Sequence, residues 1–309
     1  MKITILGAGA MGTLFGGKLA LTGNDISLLF HSTEAAEQVS KQGIILKDDV
    51  GIQNVKVEAI TSNEVKEPIH MLMVFTKSQQ TKEAVDSIKQ WITPDTYIIS
   101  LQNGLNGFEN LISYVDKEHM ILGVTNFPSD LIKRGHIVSN GRGYTKIARA
   151  DNKKDDTLLE FNEKLNVAGF NCSIEENIFV DIWEKAAFNI AINTTTAICC
   201  TTCGDIGEVE EGRQMVYELA DEVVNVANKL EINASAVKVK DTLTKTFSIH
   251  KHHYTSMAQD ILEGKKTEIE ALNGYVIKKA KELGVNVPGI EMTLRLIKVL
   301  ENRKERVKN

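Results

Sequence analysis

The sequence predicts an α/β protein in two domains: an N-terminal parallel sheet covered by helices, then an all-helical domain. Three observations predict it. Short β-rich runs alternate with amphipathic stretches through the first half. A glycine-rich turn, GAGAMG, follows the first of those runs. From about residue 175 onward, apolar positions recur every three to four residues, the period of a helix.

The runs KITIL, DISLLF, HMLMVF, YIISL and MILGV are apolar and bounded by turn residues or polar stretches. Between them lie segments such as TKEAVDSIKQWI, so the pattern predicts parallel strands joined by helical crossovers. After about residue 130, HIVSN, GRG and YTKIARA predict an antiparallel hairpin closing the sheet's edge. VYELADEVVNVANKL, EALNGYVIKKAKEL and TLRLIKVLENRKERV predict helices, with Gly284 and Pro288 marking a stop and a restart. The expected domains are residues 1–172 and 173–309, with no internal repeat.

The chain has 309 residues, enough for a large core, and its 42% hydrophobic and 25% charged residues are ordinary for a water-soluble protein. A formal net charge of −5 gives no reason to expect nucleic acid or an anionic membrane as partner. The basic tail ENRKERVKN is expected to extend the solvated end of a last helix. No apolar run approaches the roughly 20 residues of a membrane crossing. MKITILGAGAMG runs into the glycine turn with strand character, so it reads as the first strand and not as a leader. CCTTC holds a C-x-x-C spacing, but without a second one or a nearby His the four cysteines read as small buried thiols, with no metal site. A cytoplasmic protein with a small-molecule partner is expected. A helical second domain of this kind can pair into a homodimer, though no long apolar stripe requires it.

Gly7, Gly9 and Gly12 stand in G-x-G-x-x-G spacing between a strand and a helix. Gly7 permits a tight turn, Gly9 lets backbone approach a pyrophosphate, and Gly12 allows close helix packing. The N–H groups at the helix start, with Ala8, Ala10 and Met11 in the same turn, then face the phosphates. This is the signature of a Rossmann-type dinucleotide-binding domain. The second strand ends at His31 and Ser32, with no acid before Glu34, which falls in the next helix. Binders specific for NAD usually place Asp or Glu there to hold the ribose 2′-OH, so the sequence favours NADPH.

Ligands of such sheets bind at the carboxyl ends of the strands. Thr76 and Lys77 follow HMLMVF, and Gln102, Asn103 and Gly104 follow YIISL, which puts both clusters on that rim. Lys77 can neutralise a phosphate or carboxylate, and Asn103 can hydrogen-bond the nicotinamide end or a substrate. A solvated loop lysine and an Asn-Gly turn are the plain alternatives. In WEKAAFNIAIN, Lys185, Asn189 and Asn193 are spaced four apart and form a polar stripe on an otherwise apolar helix. Burying that stripe is costly unless something meets it, so it is expected to face a water-poor cleft between the domains. Further on, Ser256 and Glu268 stand out, with Thr255, Asp260 and Thr267 nearby. Taken singly, each of these fits a helix cap or an amphipathic surface.

Taken together, GAGAMG, FTKSQQT, LQNG, WEKAAFNIAIN and SMAQDILEGKKTEIEALNG, in that order over essentially the whole chain, resemble the ketopantoate reductase family. That family makes pantoate from 2-dehydropantoate with NADPH, on the way to coenzyme A. The resemblance implies that Lys185 is the proton donor and that Asn189 and Asn193 bind the substrate. It implies that Ser256 receives the substrate carboxylate and that Glu268 lies near the lysine and the cofactor. Lys77 and Asn103 then contact NADPH, with Asn103 also reaching the substrate. The chain departs from the family twice: arginine is common where it has His31, and asparagine where it has Cys203. Two alternatives remain: a D-2-hydroxyacid dehydrogenase acting on another branched 2-keto acid, with NADH as a possible cofactor, and an NADPH-binding redox sensor. A third assignment leaves Lys185 as a mere clip, paired with Glu268 or Glu184.

Overall fold

The computed structural model describes residues 1–303. The end of the basic tail, 304–309, and its expected continuation of the last helix lie outside the described residues. The chain divides into two units: residues 1–103 with 107–178, and residues 104–106 with those from 179 onward.

The first unit runs β1 (Lys2–Leu6), α1 (Ala10–Leu21), β2 (Asp25–Phe30), α2 (Thr33–Gln42), β3 (Ile44–Asp48), β4 (Gly51–Val55), β5 (Glu58–Thr61) and β6 (Ile69–Val74). It continues with α3 (Ser78–Asp86), β7 (Ile92–Ser100), α4 (Gly107–Leu111), β8 (Met120–Thr125), β9 (Asp130–Lys133), β10 (His136–Ser139), β11 (Thr145–Arg149), α5 (Asp156–Val167) and β12 (Cys172–Ile174). The main sheet has the order β12-β11-β8-β7-β6-β1-β2-β5. From β8 to β5 every pairing is parallel, and β11 runs antiparallel to β8. Strands buried on both faces must be apolar throughout, which is why Ile3 to Leu6 and Met71 to Val74 are all apolar or buried.

From β1 the chain builds outward to β2 and β5 on one side and to β6, β7 and β8 on the other, so the order reverses between β1 and β6. Register fixes a common rim there. Leu6 pairs with Leu29 and Val74, and Val74 pairs with Ser100. The loops after β1, β6 and β7 therefore start at one level.

A second sheet, β4-β3-β10-β9, was not foreseen, and it corrects the expected hairpin. HIVS pairs antiparallel with β9 and parallel with β3, while TKIAR pairs with β8 and β12 of the main sheet. Two apolar alternating runs close in sequence resemble a hairpin, but GRG carries the chain between sheets. Helix α1 touches β1 and β2 of the main sheet and β3, β4 and β10 of the second. A helix packed by both has no solvent face to make polar, and Leu14, Phe15 and Leu19 are fully buried.

The second unit holds α6 (Ile178–Cys199), α7 (Cys203–Glu208), α8 (Glu210–Lys229), α9 (Ala236–Ile249), α10 (Ser256–Glu263), a π-helical turn (Glu270–Gly274), α11 (Tyr275–Leu283) and α12 (Pro288–Glu301). Its core gathers Trp183, Ala187 and Ile190 of α6 with Val216 and Val223 of α8, Leu243 of α9 and Ile290 of α12. Leu105, from the three-residue segment outside the first unit, belongs to this core. As expected, Gly284 ends α11 in the left-handed region and Pro288 opens α12. All four cysteines are free, and Cys172 and Cys203 are buried as expected. Cys199 and Cys200 are instead exposed, because α6 ends at Cys199 and Cys200 turns the chain at φ 54°.

Candidate active site

In the first unit the site is built on the switch point of the sheet. Gly7 has φ 104°, and a Cβ on it would stand 2.7 Å from the backbone nitrogen of Thr76. Backbone this close, reinforced by a bond from the N–H of Phe75 to the carbonyl of Leu6 (2.8 Å), leaves room only for glycine. A Cβ on Gly12 would stand 2.1 Å from the carbonyl oxygen of Gly7, so the first turn of α1 presses directly on the loop. A Cβ on Gly9 would meet nothing within 4 Å, which leaves an open approach to the helix start. That start has no side-chain cap and no acid in its first turn. Ala8 and Ala10 flank Gly9, Met11 is partly buried behind them, and the Ala8 carbonyl accepts the Thr13 hydroxyl at 3.3 Å. The donor set and the open approach fit the phosphates of a dinucleotide.

Lys77 takes the N-cap position of α3 with its side chain exposed. A cation at the positive end of a helix gains nothing from the helix itself, so its place makes sense beside a bound anion. The loop that carries it is held by Gln102, whose side-chain nitrogen donates to the Thr76 carbonyl at 2.5 Å and to Thr81 Oγ1 at 2.8 Å. Ser100 in turn donates to Gln102 Oε1 at 3.1 Å. Sequence reasoning singled out QNG for Asn103 and missed the structural task of Gln102. Asn103 itself is exposed just beyond β7. At the end of β2, His31 is exposed, and Ser32 caps α2 by accepting the N–H of Ala35 at 3.3 Å. Glu34 lies in the first turn of that helix, as expected.

In the second unit α6 carries Lys185, Asn189 and Asn193 on one stripe. Lys185 and Asn189 are half-buried and Asn193 is 9% exposed. Burial lowers the Lys185 ammonium from its ordinary 10.5 to about 8, and the nearby carboxylate of Glu268 works the other way. The electrostatic partner of the stripe is thus Glu268, itself half-buried just before the π-helical turn. Glu184 is not that partner. It turns to the start of α9, accepting the N–H of Ser235 at 3.2 Å and pairing with Lys238 at 2.5 Å.

Three consecutive threonines follow the stripe, all buried. Their hydroxyls donate back to the carbonyls of Ile190, Ala191 and Ile192 at 2.6, 2.8 and 2.8 Å. Thr196 also meets Thr255 at 2.8 Å. Thr255 is the N-cap of α10, so Ser256, exposed as the first residue of that helix, is tied to the end of the stripe. Asp260, a cap candidate in the sequence, lies inside α10. The helical unit therefore sets a half-buried cation and two amides on one helix, with a carboxylate from the segment before the π-helical turn and a serine pinned to the end of the stripe. Cys203 stands at the start of α7, 1% exposed, its thiol pushed up to about 11 by burial. Among the described residues, no group of three or more His, Cys, Asp or Glu is placed to hold a metal ion. No described helix is long and apolar enough to cross a membrane.

The model of the family described as ketopantoate reductase PanE/ApbA matches residues 3–152, and its C-terminal counterpart matches 177–301. A protein of Streptococcus pyogenes serotype M18 named 2-dehydropantoate 2-reductase is 31% identical over 306 residues, 97% of this chain and 98% of the relative. The chain belongs to the ketopantoate reductase family. Among solved structures of this fold, a D-mandelate dehydrogenase with NADH and anilino(oxo)acetate is 26% identical, with a TM-score of 0.92 over 98% of this chain and 99% of that one. A putative 2-dehydropantoate 2-reductase from Enterococcus faecalis is 29% identical, with a TM-score of 0.77 over 97% and 98%. The ketopantoate reductase models thus fall on both units described above: the first covers the glycine turn and its rim, the second the helix of the polar stripe.

Proposed function

We propose that this chain reduces 2-dehydropantoate to pantoate with NADPH, as a cytoplasmic enzyme of pantothenate and coenzyme A formation. The observation that carries the reading is the place of Lys185, half-buried on the polar stripe of α6 with Glu268 as its charged neighbour, where burial brings the ammonium down to about 8. Reducing a ketone places negative charge on its oxygen, and a positioned acid stabilises that charge and delivers the proton. A lysine with a lowered pKa suits the task at neutral pH, because it is still charged but gives up its proton readily. Glu268 keeps it protonated and orients it. Ser256, with Asn189 or Asn193, supplies donors for the substrate carboxylate. The nicotinamide, when bound, supplies hydride to the keto carbon. The glycine turn with Ala8, Ala10 and Met11 receives the pyrophosphate, Lys77 neutralises charge on the same rim, and Asn103 serves the nicotinamide end and the substrate. Preference for NADPH rests on the missing acid at the end of β2, where His31 can donate to a 2′-phosphate.

A second reading is a D-2-hydroxyacid dehydrogenase that acts on another branched 2-keto acid with NADH. It is favoured by likeness to the D-mandelate dehydrogenase and by Cys203, since a buried thiol is a poor substitute for an amide in gripping a hydroxylated substrate. Initial rates with 2-dehydropantoate and with branched 2-keto acids lacking the hydroxyl, each with NADPH and NADH, separate the two. Highest kcat/KM with 2-dehydropantoate and NADPH supports the first. A clear preference for NADH and the non-hydroxylated acids overturns it.

A further inference from the structure

The segment that carries Glu268 is held by the last helix. Thr267 is 3% exposed, and its N–H and its hydroxyl both donate to Oε1 of Glu301, each at 2.7 Å. The same Thr267 oxygen accepts the N–H of Ile269 at 3.2 Å. The backbone is thereby fixed on both sides of Glu268. Two further contacts from α12 follow: Lys298 pairs with Glu270, and Asn273 donates to Thr293 Oγ1 at 3.0 Å. Between these anchors the chain makes its π-helical turn, an irregularity that places one extra residue in a helix and often marks a functional site.

Glu301 is in the wrong place for helix stability. It is the last residue of α12, where the dipole disfavours a carboxylate, and its side chain is only 8% exposed. Among the described residues it also pairs with Lys266 at 3.6 Å, whose side chain is largely exposed. A buried carboxylate at a helix end needs donors that offset its burial, and here Thr267 supplies two of them.

We propose that Glu301 is a positioning residue: by gripping Thr267 it sets where the Glu268 carboxylate stands relative to Lys185. The proposal rests on the reading above, in which Glu268 orients the proton donor. Glu268 supports the charge on Lys185 against burial. A Glu268 that drifts away lowers the pKa of the lysine, so its protonated form is lost at lower pH.

The test uses the full chain with Glu301→Ala, Glu301→Gln, Thr267→Val and Glu268→Gln, reading kcat against pH, KM for the keto acid and the thermal midpoint. Glu301→Ala is expected to lower kcat about tenfold and to move the alkaline limb of the kcat profile down by about half a pH unit or more. Glu301→Gln keeps an acceptor oxygen and falls between it and the parent, while Thr267→Val shifts the limb in the same direction. Should the alanine variant not fold, the other two decide. A limb that stays in place in the folded variants overturns the proposal, even where the thermal midpoint drops. If Glu268→Gln itself keeps parental turnover and limb, the parent reading fails instead, and the two failures are told apart in one assay.

Discussion

The hydroxyls of Thr196 and Thr255 stand 2.8 Å apart, and their other partners fix the direction of the bond. Thr196 gives its one hydrogen to the carbonyl of Ile192 at 2.8 Å, with that of Asn193 at 3.2 Å. Thr255 Oγ1 accepts the N–H of Ala258 at 3.4 Å as the cap of α10. Thr255 is therefore the donor and Thr196 the acceptor, so Ser256 is tied through one hydroxyl chain to the backbone beside Asn193. Thr196→Val keeps the shape and removes the acceptor. A buried bond of about 1 kcal/mol corresponds to a factor of about five. The expected outcome is a KM for the keto acid raised about fivefold with kcat little changed. An unchanged KM in steady-state kinetics would separate Ser256 from substrate binding.

Replacing Lys185 by alanine removes the proposed proton donor and leaves the apolar faces of α6 intact. Turnover is expected to fall about 10²-fold or more, with the circular dichroism spectrum and cooperative unfolding retained. Near-normal kcat in the folded variant would end its assignment as the acid.

The pH dependence has a definite sign. In its proposed role Lys185 serves as an acid in its protonated form, so kcat is expected to fall as pH rises through about 8. Its contribution to stability runs oppositely. Between about 8 and 10.5 the unfolded chain holds a proton on this lysine that the folded one has lost, so the term favours folding more as pH rises. Activity and thermal midpoint measured across that window in parent and Lys185→Ala isolate both effects. A parental kcat that stays flat to pH 10 would contradict the lowered value.

Gly12→Ala puts a methyl 2.1 Å from the carbonyl oxygen of Gly7, and backbone cannot yield as a side-chain tip can. Overpacking of this kind costs about 1–3 kcal/mol, and part of it is expected to appear as displacement of the glycine loop. Dinucleotide affinity measured by fluorescence titration is expected to drop at least about tenfold. Unchanged affinity would mean that the turn does not cradle the pyrophosphate.

What was legible in the sequence is what local period and spacing encode. The glycine turn lies between strand and helix with three small residues at fixed offsets, and the stripe Lys185, Asn189, Asn193 follows from four-residue spacing alone. The illegible parts are bonds between residues far apart in the chain. Nothing local to Glu301 points to Thr267, nor to Gln102 holding the loop of Thr76, nor to Glu184 turning to Ser235 instead of remaining beside Lys185. The hairpin expected from HIVSN and YTKIARA failed because alternation reveals a half-buried strand but not its neighbour. The π-helical turn was hidden because one extra residue barely disturbs a helical pattern. In CCTTC two of the three cysteines, Cys199 and Cys200, are exposed against expectation, since a helix end sets exposure and the composition of the motif does not.

The contribution of Leu105 bears on how such a protein can be rearranged. This side chain, 6% exposed, sits in the packing of α6 and its partners although β7 precedes it and α4 follows it in the chain. Cutting the gene once near residue 178 would give a C-terminal fragment with a leucine-sized void, a defect of about 2–5 kcal/mol. The helical half is thus no exchangeable cassette. A chimera with a single crossover would inherit the loop of one parent and the socket of the other, and a working hybrid has to exchange Gly104–Asn106 along with it.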